Sequence, residues 1–218
     1  MSRRKRKPPK PVAGVAAPDA EASRFVSRGG LKLDAAFDAF ALRSVLPDDF
    51  VGADLGCSTG GFVDCQLQRG AGHVYAVDTA YGELAWRLRQ DDRVTVLERS
   101  NALHVVPPDG PVCDLVSLDL GWTTQEKAVP AALRWLSDDP HARIVTLIKP
   151  HYESQRHQLT DEAADAETDR VVRDVLPGLG VEVLGVIRTP IRGGKGGNLE
   201  HLALLRRSGV QTHAGADP

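Results

Sequence analysis

Several things are scarce in this chain, and each scarcity excludes a class of protein. Cysteine occurs only as Cys57, Cys65 and Cys113 in 218 residues. An odd count without zinc-type spacing argues against a disulfide framework and a metal knuckle, and fits a reducing cytoplasm. The seven histidines show no ligand-pair spacing such as H-x-x-x-H, which disfavours a metal hydrolase. His73, His104 and His201 read instead as core-edge or surface residues. No apolar run approaches the ~20 residues needed to span a bilayer. The basic start leads into Pro and Ala rather than an apolar core, so it does not read as a secretory signal. Net charge is −2, and no global positive field announces nucleic acid. Basic charge is concentrated locally, with Arg3, Arg4, Lys5, Arg6, Lys7 and Lys10 in the first ten residues.

What is present suits one α/β domain with short appendages. Hydrophobic residues make up 42% and charged residues 26% of the chain, enough for a sizeable core. Residues 1–22 are rich in Pro, Ala and basic side chains without apolar period, and are expected to be a disordered tail. That tail reads equally as an arm for RNA phosphate or as a solubilising segment. The folded domain is expected over 23–208, with a second disordered tail over 209–218.

The chain is organised around residues 51–62, Val-Gly-Ala-Asp-Leu-Gly-Cys-Ser-Thr-Gly-Gly-Phe. This reads as a short apolar strand, a glycine-rich turn and the start of a helix. Gly56, Gly60 and Gly61 allow a sharp turn and close approach of a ligand, and the helix points unpaired N–H groups at that turn. Asp78 closes the next apolar run, where an acid can hold ribose hydroxyls. Together these residues define a nucleoside pocket. The G-x-x-x-G-G spacing is not the dinucleotide fingerprint, so NAD is disfavoured.

Along the chain, Leu33, Ala36, Phe37, Phe40 and Ala41 recur at helical spacing and predict the buried stripe of a helix. Lys32 sits in its first turn, beside the stripe. Helices are expected over 62–69, 83–90, 125–137 and 162–176. Strands are expected over 73–78, 94–97, 113–119, 142–149, 181–187 and 199–205. Residues 151–160 read as a polar loop and 189–197 as a glycine-rich loop containing Arg192 and Lys195. Asn101, just past the third strand, could read a base edge or simply hold a turn. The alternation of strands and helices predicts a mainly parallel sheet covered on both faces.

Charges at strand ends need a reason in such a sheet. Ligands bind outside the carboxyl ends of the strands. Asp78, Asp119, Lys149 and the turn after Asp54 all fall on that edge. Glu200 joins them if the last strand runs antiparallel. Burying these charges unpaired would cost several kcal/mol, so mutual pairing is expected if they converge.

The blocks around these charges resemble those of the FtsJ-like RNA 2′-O-methyltransferases, and among them the methyltransferase domain of the TlyA type. They are residues 27–33 (Ser-Arg-Gly-Gly-Leu-Lys-Leu), 54–62, 74–78, 98–101, 147–150 (Leu-Ile-Lys-Pro) and 196–200 (Gly-Gly-Asn-Leu-Glu). The resemblance covers roughly 24–207. It implies a Rossmann-like class I methyltransferase with a seven-stranded sheet, an antiparallel last strand and helices on both faces. It implies S-adenosyl-L-methionine as cofactor and RNA, ribosomal RNA first of all, as partner, with no membrane. The family's Lys-Asp-Lys-Glu tetrad falls on Lys32, Asp119, Lys149 and Glu200. The cofactor residues fall on Asp54, Gly56, Cys57, Ser58, Thr59, Gly60, Gly61, Phe62, Asp78 and Asn101, with Asp119 near the methyl group. Two departures stand out. TlyA-type proteins usually carry an N-terminal S4-like RNA-binding domain, where this sequence has a short basic tail. After Asp119 the usual Ser-Phe-Ile-type run is Leu120-Gly121-Trp122-Thr123, in which Trp122 could stack on a base.

Other chemistries fit less well. An amino-methyltransferase would carry an Asp/Asn-Pro-Pro-aromatic run after the fourth strand, but Pro107-Pro108 lies before it. A cytosine-C5 enzyme needs a cysteine nucleophile, and the only candidate at a strand end is Cys57, inside the cofactor turn. A cofactor-holding RNA-binding protein with an altered pocket is the non-enzymatic reading. The retained tetrad pattern opposes it.

Overall fold

The structure is a computed structural model describing residues 24–194 and 197–209. The tail expected over 1–22, Lys195 and Gly196 of the glycine loop, and all but the first residue of the tail expected over 209–218 lie outside the described residues.

Seven strands form one sheet in the order β3-β2-β1-β4-β5-β7-β6. They are β1 (Val51–Leu55), β2 (His73–Val77), β3 (Val94–Leu97), β4 (Leu115–Leu118), β5 (Arg143–Ile148), β6 (Val181–Arg188) and β7 (His201–Arg207). The strands β1 to β5 pair in parallel, and β7 runs antiparallel to both β5 and β6. Every residue of β4 and β5 is buried, as central strands covered on both faces require. Alternation then sorts their side chains. Val145, Leu147, Leu202 and Leu204 face the layer of helices α1 (Gly29–Ala39) and α2 (Gly61–Gln68). Ile144, Ile148, Ala203 and Leu205 face α4 (Gln125–Leu133), Trp135 and the segment around Val171 and Leu176. The expected two-faced α/β architecture with an antiparallel last strand is what the chain adopts.

Local differences have local causes. Helix α1 ends at Ala39, and Ala41 is exposed with a left-handed φ of 49°, so Ala41 does not join the expected stripe. Buried Asp34 lies in the buried face of this helix, held by Arg24 and Arg69. The helix expected over 83–90 is reduced to α3 (Trp86–Arg89), and that over 125–137 stops at Leu133. The one expected over 162–176 is α6 (Asp161–Arg170), capped by Thr160 accepting from Ala163 N. It then widens into a π turn at Val171–Val175 and tightens into a 3-10 turn at Leu176–Leu179. Pro177 lacks the N–H that a continuing α-helix would offer, and its ring crowds the preceding turn. The polar loop expected from 151 begins instead with a short helix, α5 (Pro150–Glu153), in which proline occupies the first position, where its fixed φ is favourable. Strand β7 starts at His201, so Glu200 precedes it.

Leu202 is fully buried in the middle of the sheet. Leu202→Ala should lower unfolding stability by about 2–5 kcal/mol, read as a reduced denaturant midpoint with an unchanged slope.

Candidate active site

The carboxyl ends of β1, β2, β4 and β5 share one rim, and the site is built there. After β1 the backbone turns back on itself: Gly56 N and Cys57 N both donate to Val77 O of β2, at 2.8 and 3.0 Å. Gly56 has φ +93°, and a Cβ there would lie 2.5 Å from Asp119 O. Only glycine keeps this floor open. Gly61 brings the N-terminus of α2 against that of α1, since a Cβ would meet Ser27 Oγ at 2.3 Å. Gly60 has a different task. It lines none of the cavities described below, and its missing side chain makes room for Leu84 and Leu88.

Two cavities of about 380 and 480 Å³ meet at Gly56, Ser58 and Asp119. The first is walled by Ser27, Lys32, Asp54, Cys57, Thr59 and Phe62; the second by Asp78, Ser100 and Asn101. Asp78 is held by the backbone, accepting from Ser58 N and Ala80 N at 2.8 Å each. Asn101 Oδ1 accepts from Leu103 N at 2.9 Å, which leaves its amide N–H groups for the cavity. This open, glycine-floored trough with an acid on one side fits a nucleoside cofactor.

Asp54 is fully buried beneath the trough. It accepts from Ser117 Oγ at 2.8 Å and from the backbone of Val63 in the first turn of α2, so it caps a helix whose own N-cap is Gly60. Gln66 Nε2 donates to Ser117 Oγ at 2.9 Å and completes the network. Burial pushes the Asp54 carboxyl up to about 8, opposed by the Ser117 bond. Burial also pushes the Cys57 thiol far up, with Asp54 adding to the effect. A thiol so held is a poor source of thiolate, which disfavours the cytosine-C5 alternative.

A third cavity, of about 400 Å³, lies on the other side of Asp119 and holds all four tetrad residues, Lys32, Asp119, Lys149 and Glu200. Lys32, from the first turn of α1, places Nζ 2.5 Å from Glu200 Oε2, with both side chains at most 9% exposed. Lys149, just past β5, places Nζ 2.5 Å from Asp119 Oδ1 and 3.2 Å from Leu120 O. The two ion pairs come from four separate segments. The altered run after Asp119 does not disperse them, because the Leu120 carbonyl still receives Lys149. Gly193 lies against the Glu200 carboxylate: a Cβ there would come within 2.4 Å of Oε1. Burial pushes Glu153 up to about 7 while it accepts from Gln125 N at 2.8 Å, tying α5 to the start of α4.

Of the residues singled out from sequence, only Gly60 stands off these cavities. Ser27, Arg28 and Gly29 line the first cavity. They open the first motif block but were not among the candidate cofactor residues. Among the described residues no cluster suited to a metal ion occurs, and no helix is long and apolar enough to cross a membrane. His201 is buried between Thr168 Oγ1 and Asp165, each at 2.9 Å, a structural placement in line with its reading from sequence.

A 3-2-1-4-5-7-6 sheet with a glycine turn after β1 and an acid at the end of β2 defines a Rossmann-like methyltransferase. The model of the FtsJ-like methyltransferase family matches residues 25–197. The chain belongs to the FtsJ-like methyltransferase family, whose cofactor is S-adenosylmethionine. It is 39% identical over 193 residues to the 16S/23S rRNA (cytidine-2′-O)-methyltransferase TlyA of Mycobacterium tuberculosis, covering 84% of this chain and 68% of that one. It is 36% identical over 195 residues to YqxC of Bacillus subtilis, a candidate rRNA methyltransferase, covering 85% and 67%. Among solved structures, a candidate hemolysin from Streptococcus thermophilus superposes with a TM-score of 0.75 at 36% identity, covering 84% of this chain and 67% of that one.

The buried Asp54 gives a signed pH dependence. Between its ordinary value of 3.8 and about 8, the folded chain holds a proton that the unfolded chain has released. Stability of the cofactor-free protein should therefore fall as pH rises through that window, by up to about 1.4 kcal/mol per pH unit for this group. Asp54→Asn, which keeps the Ser117 acceptor, should flatten the slope of Tm against pH.

Proposed function

We propose that this chain transfers a methyl group from S-adenosylmethionine to a ribose 2′-hydroxyl of ribosomal RNA. The observation that carries the reading is the meeting of Lys32, Asp119, Lys149 and Glu200 in one cavity beside the glycine-floored trough. The TlyA relative is named for cytidine 2′-O-methylation of 16S and 23S rRNA, and a cytidine is accordingly the target proposed here.

The bound cofactor would supply a methyl group on a sulfonium centre. Gly56, Cys57, Ser58, Thr59, Gly61 and Phe62 would hold it along the trough, with Asp54 beneath. Asp78 would accept from ribose hydroxyls, and Asn101 would donate to the base edge. Gly60 would contribute indirectly, by letting the turn pack on Leu84 and Leu88.

A 2′-hydroxyl is a poor nucleophile until its proton is leaving. Lys149 Nζ takes that proton in its neutral form, after the ammonium of the Asp119 pair has released one proton to solvent. Asp119, which lines all three cavities, holds the Lys149 amine at the boundary between cofactor and substrate. Lys32 and Glu200 fix the target ribose and its phosphate from the opposite wall, where their mutual pairing keeps both side chains in place. Much of the rate gain comes from this positioning. Trp122, exposed and stacked on Tyr152 at 4.8 Å between centroids, offers its face to the target base. The alternative of a cofactor-holding RNA-binding protein without catalysis is disfavoured by the assembled tetrad.

Lys149→Ala and Lys149→Arg test the base. Arginine keeps a positive partner for Asp119 but cannot accept a proton. Both variants should lose methylation of ribosomal subunits by about 10²–10⁴-fold while binding S-adenosylhomocysteine as the parent chain does. Undiminished turnover by Lys149→Arg would remove Lys149 from this role.

A further inference from the structure

A fourth cavity, of about 320 Å³, adjoins the tetrad cavity and shares Trp122, Tyr152 and Arg156 with it. Trp122 also lines the cofactor-side cavity, so the Trp122–Tyr152 stack stands between the trough and this outer space. Lys127 of α4 closes the far wall.

The charges here are unusual for this molecule. Among the described residues most arginines pair with a carboxylate, including Arg188 on Asp165 and Arg192 on Asp161 near the glycine loop, while Arg28, Arg99, Arg134 and Arg143 do not. Arg156 and Lys127 are exposed and, among the described residues, form no ion pair, although the chain as a whole is slightly acidic. Two uncompensated cations beside a catalytic cavity mark an anion-binding wall.

The backbone places them deliberately. Arg156 follows α5 through a left-handed Gln155 with φ 55°. Its N–H donates to His151 O at 2.9 Å, and Gln155 N donates to Tyr152 O at 3.3 Å, the two bonds of a Schellman turn. Glycine would be the unstrained residue at that position. Trp122, on the opposite wall, is also left-handed, with φ 54°. Two side-chain-bearing residues held in a disfavoured region around one cavity point to function.

We propose that this outer cavity holds the nucleotide adjacent to the methylated one, with its phosphate against Arg156 and Lys127. The inference rests on the reading of the chain as an RNA methyltransferase, and assigns two phosphate-binding residues outside the tetrad. Phosphate contacts fix register without reading sequence, so this wall sets which ribose lies at Lys149.

The test uses the full chain, oligocytidylate as binding probe across a KCl series, and ribosomal subunits from cells lacking the protein as methyl acceptor. Removing both cations from that one phosphate in the Arg156→Gln/Lys127→Gln double variant should make the slope of log Kd against log salt shallower by about 0.7. Affinity should fall about tenfold and the KM for subunits should rise, with S-adenosylhomocysteine affinity unchanged by calorimetry. Arg156→Lys, which keeps the charge, should keep most of the parental slope where Arg156→Gln loses it. If the parent chain methylates subunits but the double variant keeps the parental slope and Kd, the outer cavity is not a phosphate site and the methyltransferase reading stands. If the parent chain methylates no ribosomal RNA, that reading fails and this one with it.

Discussion

Lys32 and Glu200 are both withdrawn from water, and each is the other's charge partner. Removing one partner of such a pair leaves an uncompensated charge at a cost of about 3–5 kcal/mol. Each therefore fixes the other, and with them the segments that carry them. Lys32 anchors the first turn of α1 to the rim of the sheet, and α1 crosses α2 where Gly61 permits contact with Ser27. Glu200 pins the end of the glycine loop to the entrance of β7. The walls of the cofactor trough and of the tetrad cavity meet along this link, so the position of one constrains the other.

The sheet topology makes this link possible. In a wholly parallel sheet, a residue just before a strand would lie at the amino edge, a strand length away from Lys149. Because β7 runs against β5, with His201 opposite Ile148, Glu200 arrives at the carboxyl edge beside Lys149. Asp119 is the pivot on the other side, paired with Lys149 and lining every one of the three inner cavities. A small set of side chains thus serves two ligand spaces at once. Asp54 shows the same economy: one buried carboxyl group caps α2, receives Ser117 and underlies the trough.

The main features of the fold were legible because their physics is local. The apolar runs of β1, β2 and β5, and the glycine turn after β1, announce themselves within a few residues. Asp119, Lys149 and Glu200 were legible as charges at strand ends and Lys32 only through the family resemblance, and their convergence depended on the direction of β7, which no local pattern in that segment declares. What the sequence left obscure depended on long-range contacts. Ala41 fits the helical period but follows a left-handed break. Gly60 looks like its neighbours in the turn yet serves packing against Leu84 and Leu88. The wide and narrow turns after Arg170 arise from Pro177 several residues on. The uncompensated state of Arg156 and Lys127 is visible only once the partners of the other arginines are known.

The pairing of Lys32 with Glu200 also sets an order in time. The two residues are 168 positions apart, and Glu200 is the last of the tetrad to leave the ribosome as the chain is made. Synthesis runs from the N-terminus, so every other member of the tetrad is made before this final acid. The tetrad cavity is therefore the last part of the rim to be closed, when β7 takes its place between β5 and β6.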